Sequence, residues 1–224
     1  MRESLRRWGL FRRVSGHTLV SHEKLNALCT MIATLERDRI PGAIVECGAF
    51  KGGAAALMAH ESGNRRELYL FDSFAGLPPP GPRDGAMART MYAPGWCAST
   101  EGDVRAVLAT LGCLTPRVHL IKGWFHETFP RVAVGEIALL HIDADWHDSV
   151  AICLNTWFDR VVPGGFVAVD DYGRWVGCTR AVDEFLEARG LPALERTGAA
   201  GHYFRRDVAV PVRFARHRSG QRVE

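Results

Sequence analysis

"AIVECGAFKGGAAALM" (43–58) joins a short apolar run, a turn bearing Gly48 and Gly52, and a second, alanine-rich apolar run. The first run closes on Gly48 after a few residues and reads as a buried strand over 42–47. The second opens at Gly52 or Gly53 and reads as a helix, so the stretch is a strand, a turn and a helix start.

The same alternation recurs downstream. "ELYLFD" (67–72) is a second strand, "RVHLIKG" (117–123) a third, "IALLHID" (137–143) a fourth and "GGFVAVDD" (164–171) a fifth. Between them, a helix starts at Thr100 with Asp103 completing a capping box and Val104, Val107, Leu108 and Leu111 on one face. "WHDSVAICLNTWFDRV" (146–161) and "TRAVDEFLEARG" (179–190) are further helices, the latter stopped by Gly190. Upstream, residues 21–38 form an amphipathic helix with Ser21 as N-cap and Leu25, Leu28, Ile32 and Leu35 aligned. "ALERTG" (193–198) and "GHYFRRD" (201–207) predict a C-terminal antiparallel hairpin. Continuous apolar strands alternating with helices predict an α/β fold, a doubly wound, mostly parallel sheet of Rossmann-like type.

Composition agrees. A chain of 224 residues, 47% hydrophobic and 24% charged, suits a single domain, taken as 21–207, with a basic N-terminal arm (1–20) and a basic C-terminal tail (208–224). "MRESLRRWGLFRR" has no apolar h-region; a transit peptide is the other reading, but "HTLVSHEKL" follows with no cleavage-like linker, which favours an ordered arm. The apolar runs break well short of a membrane span. Neither basic end carries the interleaved aromatics of a nucleic-acid platform, so no nucleic-acid or membrane partner is expected. The six cysteines show no C-x-x-C pair, which fits a reducing, cytoplasmic setting. "SFAGLPPPGPRDGAMARTMYAPGWCAST" (73–100) is Pro/Gly-rich yet studded with Met and aromatics, the profile of a lid, about 74–99.

In such sheets ligands bind beyond the carboxyl ends of the strands. Glycines and acids gather there: Gly48, Asp72, Gly123, Asp143 and Asp170 each follow or end one strand. Gly48 and Gly52 allow close backbone approach to a ligand. Their spacing, E-x-G-x-x-x-G-G, is not the G-x-G-x-x-G that seats a pyrophosphate, which disfavours a dehydrogenase and points to a donor without a diphosphate, such as S-adenosylmethionine. Asp72 is placed to accept from ribose hydroxyls.

Asp143 and Asp145 are two apart and point the same way in extended chain. Asp170 and Asp171 need a bend to share one site, and "DDYG" with Gly173 can supply it. Converging carboxylates repel unless a cation lies between them, and hard oxygen ligands suit Mg²⁺, with Ca²⁺ or Mn²⁺ as substitutes. Taken singly, Asp145 or Asp148 could simply cap the following helix, and Asp171 a turn. His141 reads as a hydrogen-bonded core histidine; Trp124, Trp146 and Trp175 read as core or pocket walls.

Six blocks carry a resemblance: "TLVSHEKL", "PGAIVECGAFKGG", "LFDSFAGLP", "KGWFHETFP", "HIDADWHDS" and "VPGGFVAVDDYGRWVGCTRAVDEF". In order and spacing, over about residues 17–206, they resemble the macrocin O-methyltransferase family, enzymes that methylate sugar hydroxyls on antibiotics. The resemblance implies a class I methyltransferase fold, S-adenosylmethionine, Mg²⁺, a glycosylated natural product as acceptor, and a homo-oligomer. It assigns Asp143, Asp170 and Asp171 to the metal and Asp145 to the general base. Glu46, Gly48, Asp72 and Ser73 match donor contacts, together with the glycine turn at Gly52 and Gly53, and Gly123, Trp124 and Phe125 lie near the adenine. "DADWHDS" departs from the usual D-G-D-x-Y-E-S, so His147 stands where tyrosine is common; it and His126 are secondary candidates for the base. The lid also differs, and the chain is shorter than typical members. The rival readings are a catechol-type O-methyltransferase and a non-catalytic S-adenosylmethionine binder.

Overall fold

The computed structural model describes residues 2–197 and 201–206; the basic tail over 208–224 lies outside the described residues. Five strands run parallel: β1 (Ala43–Cys47), β2 (Leu68–Asp72), β3 (Val118–Lys122), β4 (Ile137–Ile142) and β5 (Val161–Val169). β6 (Glu195–Thr197) and β7 (Gly201–Arg205) form the expected antiparallel pair, and β7 closes onto β5. The sheet order is β3-β2-β1-β4-β5-β7-β6. The winding reverses between β1 and β4, the position where open α/β sheets leave a crevice for ligands.

The strands are buried on both faces because helices cover both. α1 (Arg2–Val14), α2 (His22–Arg37), α3 (Gly53–Glu61) and α5 (Glu101–Thr110) pack on one side, around Ile32, Leu57, Leu70, Leu108 and Leu139. α7 (His147–Trp157) and α8 (Val176–Arg189) pack on the other, around Phe71, Leu140, Trp157 and Phe185. Two short helices, α4 (Gly85–Met91) and α6 (Phe125–Thr128), lie over the carboxyl end of the sheet.

Local chemistry sets the boundaries. Ser21 Oγ accepts from Lys24 N–H to start α2, and Thr100 and Asp103 form a reciprocal capping box at α5. Gly190 ends α8 in the left-handed region. Residues 2–14, read from sequence as part of an arm, form a helix whose Phe11 and Val14 enter the core. β5 begins at Val161, three residues earlier than the sequence suggests; Val161 pairs with Ile137, and the ladder is then interrupted at the Pro-Gly-Gly stretch, where Gly164 has φ +84°, before it resumes at Phe166. All six cysteines are free. No helix among the described residues is long and apolar enough to cross a membrane.

The 74–99 segment contains α4 and is tied down at several points. Trp146 Nε1 donates to Pro78 O at 2.8 Å, Ser99 Oγ donates to Phe50 O at 2.8 Å, and the Trp96 ring packs on Trp146 and Trp175. Asp84 is buried at the centre of this segment. Its Oδ1 accepts from His147 N–H at 2.6 Å, at the start of α7, and its Oδ2 from Gly81 N–H at 2.7 Å. A Cβ on Gly177 would lie 1.9 Å from Asp84 Oδ1, so glycine at the start of α8 makes room for this anchor.

Candidate active site

A cleft of about 590 Å³ opens at the carboxyl ends of β1 to β5, within the range of small-molecule sites. Glu46, Gly48, Asp72, Ser73, Gly123, Trp124 and Phe125 line its β1–β3 side, and Asp143, Asp145, Asp170 and Asp171 its β4–β5 side. The alternation places both groups on one sheet edge, since each strand enters from the far side and releases its last residue there.

Backbone contacts hold the rim. Gly48 N–H donates to Phe71 O, and Gly123 N–H to Asp72 O, carrying the ladders past the strand ends. Gly48 has φ +95°, and a Cβ there would lie 1.8 Å from Asp143 O; its freedom is needed first for the close passage of β1 and β4. Asp72 Oδ2 accepts from Phe50 N–H at 2.8 Å and Oδ1 from Phe74 N–H at 2.7 Å, fixing the turns after β1 and β2. Burial pushes its carboxyl above the usual range, against the pull of these bonds. Phe50, Cys97 and Asp145 line the cleft with positive φ, 47°, 63° and 53°. Left-handed non-glycine residues each cost about 1–3 kcal/mol and gather at functional sites.

The acids converge. Asp143, Asp145 and Asp171 each bring a carboxylate oxygen within 4.8 Å of the others. Burial, then the charges of Asp170, Asp171 and Asp145, push Asp143 well above the ordinary carboxylate range. Burial and Asp171 push Asp145 up to about 8, partly offset by a hydrogen bond from Trp175. Asp171 rises to about 6 through burial and Asp170, while Lys24 and Arg174 pull it down. Asp171 Oδ2 is buried with no partner among the described residues. Three carboxylates in reach of one another, crowded by like charge, fit a divalent cation such as Mg²⁺.

Several sequence assignments land elsewhere. Asp170 lies outside the three-carboxylate cluster. It follows Phe166 and Ala168 in strand parity, towards α2, where Lys24 Nζ pairs with its Oδ2 at 2.9 Å and donates to its carbonyl at 2.7 Å. Asp171 takes the other side because Arg174 and Trp175 N–H donate to its carbonyl, making the bend that Gly173 (φ +82°) completes. His147 is not a wall of the cleft. Its ring nitrogens lie 2.9 Å from Asp148 Oδ1 and 3.0 Å from Glu184 Oε2, so it stitches α7 to α8. Gly52 and Gly53 also miss the cleft: added Cβ atoms would meet Val104 at 2.8 Å and His17 O at 2.7 Å, so they serve helix packing. Sequence reading gave Thr18, Leu19, Val20, Ile152 and Arg174 no place in the cleft, which all five line, and passed over Lys24. Lys24 had a signal, being one of three lysines beside 25 arginines.

The macrocin O-methyltransferase (TylF) family profile matches residues 1–206, and therefore both halves of the cleft. The chain belongs to this family. It is an S-adenosylmethionine-dependent O-methyltransferase. Among curated members it is 33% identical over 183 residues to the 8-demethyl-8-(2,3-dimethoxy-alpha-L-rhamnosyl)-tetracenomycin-C 4′-O-methyltransferase of Streptomyces olivaceus, covering 78% of this chain and 69% of that one. It is 31% identical to the demethyldecarbamoylnovobiocin O-methyltransferase of Streptomyces niveus, covering 82% and 73%. The solved structure of the O-methyltransferase NovP superposes with a TM-score of 0.77 at 29% identity, over 85% of this chain and 82% of that one.

Proposed function

We propose that this methyltransferase acts on a sugar hydroxyl of a glycosylated small molecule and uses Mg²⁺ at the aspartate cluster. The observation that carries this reading is the sharing of one cleft by Glu46, Asp72 and Gly123, which we assign to the methyl donor, and the cluster of Asp143, Asp145 and Asp171. The relative from Streptomyces olivaceus, whose name gives a rhamnosyl-bearing acceptor and a 4′-oxygen, supports the choice of a sugar.

S-adenosylmethionine supplies an electrophilic methyl on its sulfonium. Asp72 and Ser73 at the end of β2 would receive its ribose, Gly123 to Phe125 its adenine, and Glu46 the methionyl end. Asp143 and Asp171 would hold the metal, which when bound lowers the pKa of an alcohol that is otherwise far too weak an acid at neutral pH. Asp145, presented by its left-handed backbone and the Trp175 hydrogen bond, accepts the hydroxyl proton on a carboxylate oxygen. The aromatic wall of Trp96 and Trp175, backed by the buried Trp146 with ring centroids 5.1–6.4 Å apart, together with Leu77 and Pro78, would exclude water beside it. Holding methyl donor and oxygen in line in such a site supplies most of the acceleration.

The test is an acceptor panel with methyl-labelled S-adenosylmethionine: glycosides with free sugar hydroxyls, their aglycones, and catechols. Label transfer to the sugar is expected. Transfer to catechols with glycosides inert would replace the sugar reading by the aromatic-diol one.

A further inference from the structure

Glu46 and His141 face one another across adjacent strands. They are Cα partners in the β1–β4 register, each two residues before the strand-end residues Gly48 and Asp143. Their neighbours on the same sheet face, Ile44, Leu70, Leu139 and Ala168, are apolar core residues. Both polar side chains are about 1% exposed. An ionisable pair in the middle of an apolar face lowers stability unless every polar atom is satisfied, and here one is not. His141 Nδ1 lies 2.9 Å from Glu46 Oε1, whereas Glu46 Oε2 is buried and has no partner among the described residues. Glu46 nevertheless lines the cleft, so the residue that carries the unpaired oxygen is part of the wall a ligand would touch. Burial pushes the Glu46 carboxyl above its usual range, and the His141 contact opposes this.

The occupant follows from the chemistry of the donor. A carboxylate only accepts, so its partner must be a donor and preferably a cation. With adenosine on the β2–β3 side and the sulfonium directed at Asp145 on the β4 side, the amino-acid end falls beside β1. That end offers an ammonium with three N–H donors. We propose that His141 is a positioning residue for the methyl donor: its ring fixes Glu46 so that Oε2 faces the cleft as acceptor for the α-ammonium. The inference rests on the reading above that Glu46 faces the bound donor. A flexible glutamate would lose side-chain freedom on binding; the ring nitrogen removes that freedom beforehand.

The test is calorimetry of the stable product S-adenosylhomocysteine and of 5′-methylthioadenosine, which lacks the amino-acid end. His141→Leu, or His141→Met where the leucine variant does not fold, should weaken S-adenosylhomocysteine binding roughly ten- to a hundredfold, the range for a hydrogen bond to a charged group. Affinity for 5′-methylthioadenosine should stay within about twofold. His141→Asn, which keeps an N–H donor near the Nδ1 position, should restore most of the loss. Equal weakening of both ligands would mean distortion of the whole cleft and overturn the proposal, as would undiminished S-adenosylhomocysteine binding. Glu46→Gln separates the two levels. If it leaves S-adenosylhomocysteine affinity unchanged, the placement of Glu46 against the donor fails; if it weakens binding while the His141 variants do not, only the role of His141 fails.

Discussion

Replacing Asp84 by asparagine changes one atom, yet it should release the lid. Both oxygens of Asp84 accept from backbone N–H groups, Oδ1 from His147 at 2.6 Å and Oδ2 from Gly81 at 2.7 Å. Asparagine has one oxygen, so in either amide orientation its NH₂ faces one of these donors. The substitution loses one hydrogen bond to a carboxylate and leaves a backbone N–H unpaired, about 2–4 kcal/mol together. For a domain of this size that is a fall in Tm of roughly 4–15 °C. Differential scanning calorimetry reads it directly, and limited trypsinolysis reports where the structure opens, since Arg83 and Arg89 flank the anchor. Asp84→Asn should be cut at these arginines well before the β-sheet core, with Asp84→Ala at least as sensitive. A variant with wild-type Tm and wild-type cleavage would refute the idea that this carboxylate pins the lid to α7 and α8.

Lys24→Met should move two properties in opposite directions. Loss of the ammonium paired with Asp170 lowers the stability of the metal-free protein by about 1–3 kcal/mol, while the extra negative charge tightens Mn²⁺ or Mg²⁺ binding, as scanning and titration calorimetry would show; a fall in both would contradict the assignment. Asp145→Asn should reduce turnover at least about a hundredfold with donor binding unchanged, and retained turnover would remove Asp145 from the role of base. The same variant should raise the Tm of the metal-free enzyme, and more so at pH 8 than at pH 5. A carboxyl whose folded-state value is lifted to about 8 makes folding progressively less favourable as pH rises from the ordinary aspartate range to that value, and the amide is free of this. Tm curves of variant and wild type that stay parallel from pH 5 to 8 would show that Asp145 is not so perturbed.

The fold was legible because its determinants are local and repeated: apolar runs ending in glycine or acid, Ser21 and Thr100 starting helices, Gly190 stopping one. The cleft was legible for the same reason, since topology carries every strand end to one edge. What escaped were facts of side-chain direction. His147 follows the acidic strand end closely, but the first turn of α7 rotates its ring towards Glu184. Asp170 and Asp171 are neighbours in sequence, yet strand parity sends one to Lys24 and the other to the carboxylate cluster. Gly52 and Gly53 have the spacing of ligand-approach glycines but spend it on Val104 and His17. The proline-rich segment stood out by its composition, whereas the means of its fastening, a buried carboxylate received by Gly177, left no pattern in the chain.

The most direct test of the account is methyl transfer after exhaustive chelation, followed by titration with Mg²⁺ while donor binding is monitored in parallel. Turnover that vanishes in chelator, returns with Mg²⁺ and fails to return in Asp171→Asn, with donor affinity little changed throughout, is the expected result. Full turnover in chelator would contradict the claim that the converging aspartates work by holding a cation beside the sulfonium.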